Sequence, residues 1–415
     1  MIEIRKLSNG LTVVCEPLDQ LRSVSLGLWL HVGAMMEEPG EMGLSHFLEH
    51  MMFKGTGRRT TRQIAEETDA AGGRLNAFTS KDCTCVHTRV IDEELADALD
   101  IISDLALHSV IPPDELERER GVILEEIAMD EDTPDDLVVE LLHRTQFAGQ
   151  RAGQPILGPA EQVTAYRRED LLRFREAHYT PERAVLSVCG HFDMAELMAE
   201  AERCLGGWHS GAAVAPLPPM SPLTGQTVTR EKDIEQLHLC LGHPGLPYGD
   251  PRATALHVLS TALGGGMSSR LFQRIREEMG AAYTVASFSN AAEGAGSFQV
   301  YAGVSPQNGR RVLEEIRAIE NAVLRGGLTE KEFLDAKKQI RTGFILGLES
   351  SGARMQANGL RMLILGDVRE PEEWLRELEE VSLEDLREVA GHVLSAPPCL
   401  AAVGKDADTY REAPV

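Results

Sequence analysis

No stretch of the 415-residue sequence approaches the apolar length needed to cross a bilayer, which sets aside a helical membrane protein. No Cys-x-x-Cys occurs. The seven cysteines, at positions 15, 83, 85, 189, 204, 240 and 399, are odd in number and scattered. That pattern fits reduced thiols rather than a disulfide framework. Cys83 and Cys85 share one face of an expected strand but have no evident partners for holding a metal. Positive charge is scarce: 41 Lys and Arg stand against 65 Asp and Glu, a formal net charge of −24. This disfavours nucleic acid and anionic membranes as partners, because phosphate rewards cations. It suits a basic or neutral peptide, and equally a solvated acidic surface. The opening Met1–Lys6 has neither the apolar core of a signal peptide nor an Arg-rich, acid-poor leader, so a cytoplasmic location is expected.

What is present is a soluble-type composition, 43% hydrophobic and 26% charged, on a chain too long for one ordinary core. Periodicity stops between about Gly206 and Gln226. There Gly211–Pro222 carries four prolines and no charge, as a linker does. It divides the chain into 1–212 and 223–415, and the halves follow one order. The first has a hairpin at Ser8-Asn9-Gly10, a strand over Ser23–Val32, and a helix from about Gly43. The second has a strand over Gln236–Gly242 and a helix over Arg252–Leu263. Alternating stretches Arg74–Val90 and Thr284–Gly303 then precede two helical pairs. These are Glu93–His108 with Pro113–Asp130, and Pro306–Leu324 with Thr329–Leu348. Strands mixed with helical pairs in each half predict a duplicated α+β fold, each sheet covered by helices.

Within Gly43–Phe53, apolar residues at 44, 47, 48, 51 and 52 have helical spacing. On such a helix His46 and His50, four apart, project from one face and can share one ion. Glu49 borders that face within reach of a metal-held water. Zinc takes neutral imidazoles and in catalytic sites keeps one position open. With 13 histidines in the chain, His-x-x-Glu-His arises by chance about 0.04 times. A third ligand is still needed. The acid-rich helix Asp114–Ile127 has an apolar stripe at Leu116, Ile123 and Ile127. Both Glu119 and Glu126 lie beside it, two turns apart, and spacing does not choose among its acids.

The run Gly43-Leu-Ser-His-Phe-Leu-Glu-His-Met-Met-Phe-Lys-Gly-Thr56 resembles the inverted zinc motif of the pitrilysin/insulinase metallopeptidases. Glu119-Arg-Gly-Val-Ile-Leu-Glu-Glu126 resembles their second glutamate motif. The resemblance spans nearly the whole chain and is nearest the half-length subgroup containing the mitochondrial processing peptidases and their bacterial relatives. It implies Zn2+ held by His46, His50 and Glu126, with Glu49 as general base and Glu119 as a supporting acid. It also implies mostly antiparallel sheets and two chains pairing as a clamshell around a chamber. A homodimer is expected, with an obligate heterodimer or a non-catalytic core-type subunit as the rival readings.

On the substrate side, Gly72–Thr79 reads as a strand, and the resemblance places Asn76 and Ala77 at an edge where a peptide adds itself. Gly264-Gly-Gly-Met-Ser-Ser lacks the Lys-Ser/Thr of a nucleotide loop and resembles a substrate-facing glycine segment. Arg276 and Tyr283 match the family's Arg–Tyr pair, for a substrate carbonyl and a developing oxyanion. The second half has no His-x-x-Glu-His. Ala336 and Gly343 fall where Glu119 and Glu126 stand in the first, which marks it as a degenerate copy.

Overall fold

In a computed structural model the protein is described over residues 1–209, 211 and 216–411; residues 212–215 of the expected linker lie outside the described residues. The chain forms two compact units. The first comprises Met1–Ile127, Gln154–Leu217 and Ile345–Glu370, and the second comprises Ala128–Gly153, Pro218–Phe344 and Pro371–Val415. The break at Leu217/Pro218 falls within the expected linker. A division into 1–212 and 223–415 does not express one feature: each half sends a helical segment to the other half's sheet.

The first unit is built on six strands: β1 (Glu3–Lys6), β2 (Thr12–Pro17), β3 (Ser23–Leu30), β4 (Asn76–Thr79), β5 (Thr84–Ile91) and β6 (Ala184–Gly190), in the order β1-β2-β6-β3-β5-β4. The second has β7 (Thr227–Glu231), β8 (Leu237–Pro244), β9 (Ala282–Ala292), β10 (Ala295–Val304) and β11 (Cys399–Gly404), in the order β7-β11-β8-β10-β9. The duplication is visible in the pairing. β2 lies parallel to β6 as β7 lies parallel to β11, and the remaining neighbours in both sheets are antiparallel. β1 is the first sheet's addition, joined to β2 by a hairpin at Gly10, whose φ of 91° suits glycine. The expected strand Arg74–Val90 is a hairpin, β4–β5, turning where the Ser80 N–H donates to Cys83 O at 2.8 Å.

Central strands such as β6 and β11 are buried along their whole length, as strands covered on both faces must be. In the first unit one cover is the helix Ser351–Leu365. Its Met355 and Met362 pack with Trp29, Cys85, Val185 and Cys189. It approaches closely because it carries a glycine: a Cβ on Gly359 would lie 2.2 Å from Trp29 Nε1. Buried Glu16 ties this helix to β2 by accepting from Arg354 and, at 2.8 Å, from Asn358 Nδ2. In the second unit the helix Pro134–Gln146 does the same, with Leu137, Val138, Leu141 and Leu142 packed on Cys240, Cys399, Ala401 and Val403. All seven cysteines are free. Among the described residues no helix is long and apolar enough to cross a membrane.

Candidate metal centre

The expected helix is α1 (Leu44–Met52), whose stripe of Leu44, Phe47, Leu48, Met51 and Met52 is buried. Gly43 caps it in the left-handed region at φ 90°, where an added Cβ would meet Leu157 O at 2.5 Å. The buried Glu37 carboxyl group accepts from the N–H groups of Gly43 and Ser45, each at 2.7 Å. It thereby satisfies donors that a helix start otherwise leaves orphaned. Burial pushes the Glu37 carboxyl up to about 8. After the helix, Thr56 Oγ1 donates to buried Asp104 at 2.7 Å, which fixes the chain beyond the Lys54-Gly-Thr turn.

The second glutamate motif lies on α2 (Pro113–Asp132). Its Glu126 Oε2 stands 3.6 Å from His46 Nε2 and 3.5 Å from His50 Nε2. One ligand atom from each of these three residues lies within 4.8 Å of the others. Bonds of about 2.0–2.1 Å at tetrahedral angles around zinc separate ligand atoms by about 3.4 Å, so the three fit a small tetrahedral cation. Proton positions argue the same way. His50 Nδ1 faces Glu119 Oε2 at 3.0 Å, and an ionised carboxylate only accepts, so Nδ1 carries the hydrogen. That leaves His50 Nε2 turned towards the Glu126 carboxylate, as the ring atom by which it would hold a cation placed between them. Burial, with His50 adding to it, pushes His46 down to about 3, which keeps that ring neutral. Glu119 is itself held by Lys54 Nζ at 2.7 Å.

Glu49 sits between the histidines in sequence, and burial raises its carboxyl above the ordinary range. Its Oε2 accepts from Thr79 Oγ1 at 2.6 Å. Thr79 ends β4, the free edge of its sheet, on which Asn76 is exposed and Ala77 buried. Thus the first unit brings together His46, His50, Glu126, Glu119 and Glu49. Asn76 and Ala77 lie on the strand that carries Thr79.

Arg276 and Tyr283 belong to the second unit. The glycine segment there ends one helix at Gly264 and turns into a π-helical run over Phe272–Glu278. The Arg276 guanidinium lies over the rings of Phe272, at 4.7 Å, and Tyr283, at 5.2 Å. Tyr283, at the start of edge strand β9, is 74% exposed. Ala336, aligned with Glu119, is buried core. Sequence reasoning missed Glu37, Lys54 and Thr79. Only Lys54, four residues after His50, carried a spacing signal.

Residues 12–160 match the family described as Insulinase (Peptidase family M16), and residues 165–340 match the Peptidase M16 inactive domain. The chain is 38% identical over 403 residues to an uncharacterized zinc protease, YmxG, of Bacillus subtilis, covering 97% of this chain and 98% of that one. It is 39% identical over 407 residues to an uncharacterized zinc protease of Streptomyces coelicolor, covering 96% and 88%. A protease from Helicobacter pylori superposes with a TM-score of 0.92 at 22% identity, covering 97% of this chain and 99% of that one. A peptidase M16 inactive domain from Pseudomonas fluorescens gives 0.91 at 19% identity, covering 98% of each. At such identities those two structures speak for the fold alone. With relatives of this identity matched over nearly their whole length, the chain belongs to the insulinase family, peptidase family M16.

Proposed function

We propose that the chain is a zinc metalloendopeptidase acting on peptides or unfolded polypeptide segments. The observation that carries this is the convergence of His46, His50 and Glu126, one ligand atom of each within 4.8 Å of the others, with the Glu49 carboxyl on the helix that bears the two histidines. The neighbouring relatives' names, zinc proteases, support the metal chosen. Held by His46, His50 and Glu126, a zinc ion would supply Lewis acidity towards the attacking water and the scissile carbonyl. Glu49 takes a proton from the attacking water and passes it to the leaving amine nitrogen. A carboxyl raised by burial suits both halves of that task, since it holds and releases a proton nearer neutrality. Glu119 holds His50 in the tautomer that ligates, and Lys54 holds Glu119.

The free edge of β4 offers main-chain donors and acceptors to an extended peptide, with Asn76 and Ala77 as its contacts, so binding needs no sequence motif. Arg276 and Tyr283 supply hydrogen bonds to substrate carbonyl oxygen, and the high exposure of Tyr283 leaves its hydroxyl available. Two copies working as a dimer would give each zinc such a pair. The test is digestion of a mixed peptide pool with and without chelator, read by mass spectrometry. Cleavage should stop with chelator, return with zinc, and fall at least about 10²-fold in Glu49→Gln. Chelator-resistant cleavage, or an inert zinc-loaded homogeneous chain, would overturn the proposal; the latter would mark a structural subunit or half of a heterodimer.

A further inference from the structure

A general base needs more than proximity: one of its oxygens must be held so that the other is presented to the proton it takes. On α1, Glu49 has one hydrogen-bond partner among the described residues, the Thr79 hydroxyl at 2.6 Å to Oε2. The direction of that bond follows from counting hydrogens. Thr79 Oγ1 also lies 3.3 Å from Thr84 Oγ1, but the Thr84 hydroxyl donates to Val32 O at 2.9 Å. Thr84 therefore has no hydrogen to give Thr79, and an ionised Glu49 carboxylate only accepts, so the single hydrogen of Thr79 goes to the nearer acceptor, Glu49 at 2.6 Å rather than Thr84 at 3.3 Å. Thr79 is also well placed to be rigid. It is the last residue of β4, cross-paired with buried Thr84, immediately before the turn closed by Ser80 and Cys83. Its β-branched side chain has few rotamers to choose from.

We infer that Thr79 is the positioning residue of the proposed base: its hydroxyl pins Glu49 Oε2 and leaves Oε1 to handle the proton. The inference rests on the proposed metallopeptidase reading and adds a link to it. The strand that holds the base is the one whose edge, three residues earlier at Asn76, would receive the peptide. A peptide paired along β4 therefore steadies the same four-residue strand that carries Thr79.

The test compares Thr79→Val, which keeps the shape and removes the donor, with Thr79→Ser, which restores the hydroxyl. In Thr79→Val, kcat for a peptide substrate should fall by about tenfold or more, KM should stay within about twofold, and Thr79→Ser should recover most of the loss. Zinc affinity, read by chelator competition without any turnover, should be unchanged in both, because among the described residues the Thr79 hydroxyl bonds Glu49 and Thr84 and none of the three proposed ligands. In a Glu49→Gln background, where residual hydrolysis is followed over long incubations, adding Thr79→Val should cost nothing further, since the two act as a unit. Should Thr79→Val fail to fold, Thr79→Ala takes its place in the same comparison. Wild-type kcat in the variant would overturn the inference. So would a loss of zinc affinity in step with kcat, or a loss that persists unchanged in the Glu49→Gln background. Full activity of Glu49→Gln alone would instead overturn the reading of the base on which the inference rests.

Discussion

Glu119 is the place where a small change should read out as metal affinity rather than as chemistry. Its side chain is only 9% exposed and is divided between two partners, His50 Nδ1 at 3.0 Å and Lys54 Nζ at 2.7 Å. In Glu119→Gln the amide oxygen can still accept from Nδ1, but the charge that favours that tautomer and raises the ligand's basicity is gone. Lys54 is then left beside a neutral group close to a dication. Loss of such a partner to a ligating histidine typically weakens metal binding 10–100-fold, which is about 1.4–2.7 kcal/mol. Glu119→Ala, with no acceptor at all, should lie at the weaker end. The stability of the metal-free chain is followed separately by denaturant unfolding, because Glu119 is buried and its replacement leaves Lys54 without a charged partner. Competition of the metal-free chain against a chromophoric chelator gives the dissociation constants directly. Binding by Glu119→Gln within about twofold of wild type, with the same stoichiometry, would refute the reasoning.

Three further outcomes follow from other parts of the structure. Gly359→Ala places a methyl against the Trp29 indole, 2.2 Å from Nε1, and should destabilise the chain by about 1–3 kcal/mol in denaturant unfolding; an unchanged midpoint would contradict that packing. Glu37, raised by burial from 4.5 to about 8, keeps its proton in the folded chain while the unfolded chain loses it. Its stabilisation is therefore complete below about pH 4.5 and is lost towards pH 8, by about 1.4 kcal/mol per unit, so wild type's advantage over Glu37→Gln should shrink between about pH 5 and about pH 7.5; a constant difference would refute it. If Arg276 and Tyr283 serve a partner's zinc, Glu49→Gln and Tyr283→Phe chains, each inactive alone, should recover about a quarter of wild-type activity when mixed and exchanged; no recovery despite proven exchange would place the pair in its own chain.

The sequence made α1 legible because two histidines and a stripe of five apolar residues share one helical period, and nothing else fits both. It made α2 legible as a helix but not Glu126 as the proposed ligand. Glu115, Glu117, Glu119, Glu125 and Glu126 are near one another on that helix, and periodicity alone cannot say which of them meets α1. The resemblance named Glu119 and Glu126, and in the fold these two face the histidines. The duplication could be read from the order of elements, but the exchanged helices Pro134–Gln146 and Ser351–Leu365 could not. An apolar stripe states that a helix must be buried and is silent on which sheet buries it. Glu37 and Thr79 were hidden for a related reason. Glu37 contacts α1 from the irregular segment just before it and Thr79 from a distant strand, each through one carboxyl or hydroxyl, and such contacts leave no periodic trace.

The most direct trial of the account is zinc titration of chelator-stripped protein with peptide cleavage followed at each addition. Cleavage should rise from nothing and saturate at about one zinc per chain, while a His46→Ala, His50→Ala double variant takes up no zinc tightly and stays inactive. Cleavage by the stripped chain, or full zinc uptake by the double variant, would contradict the claim that His46, His50 and Glu126 hold the working metal.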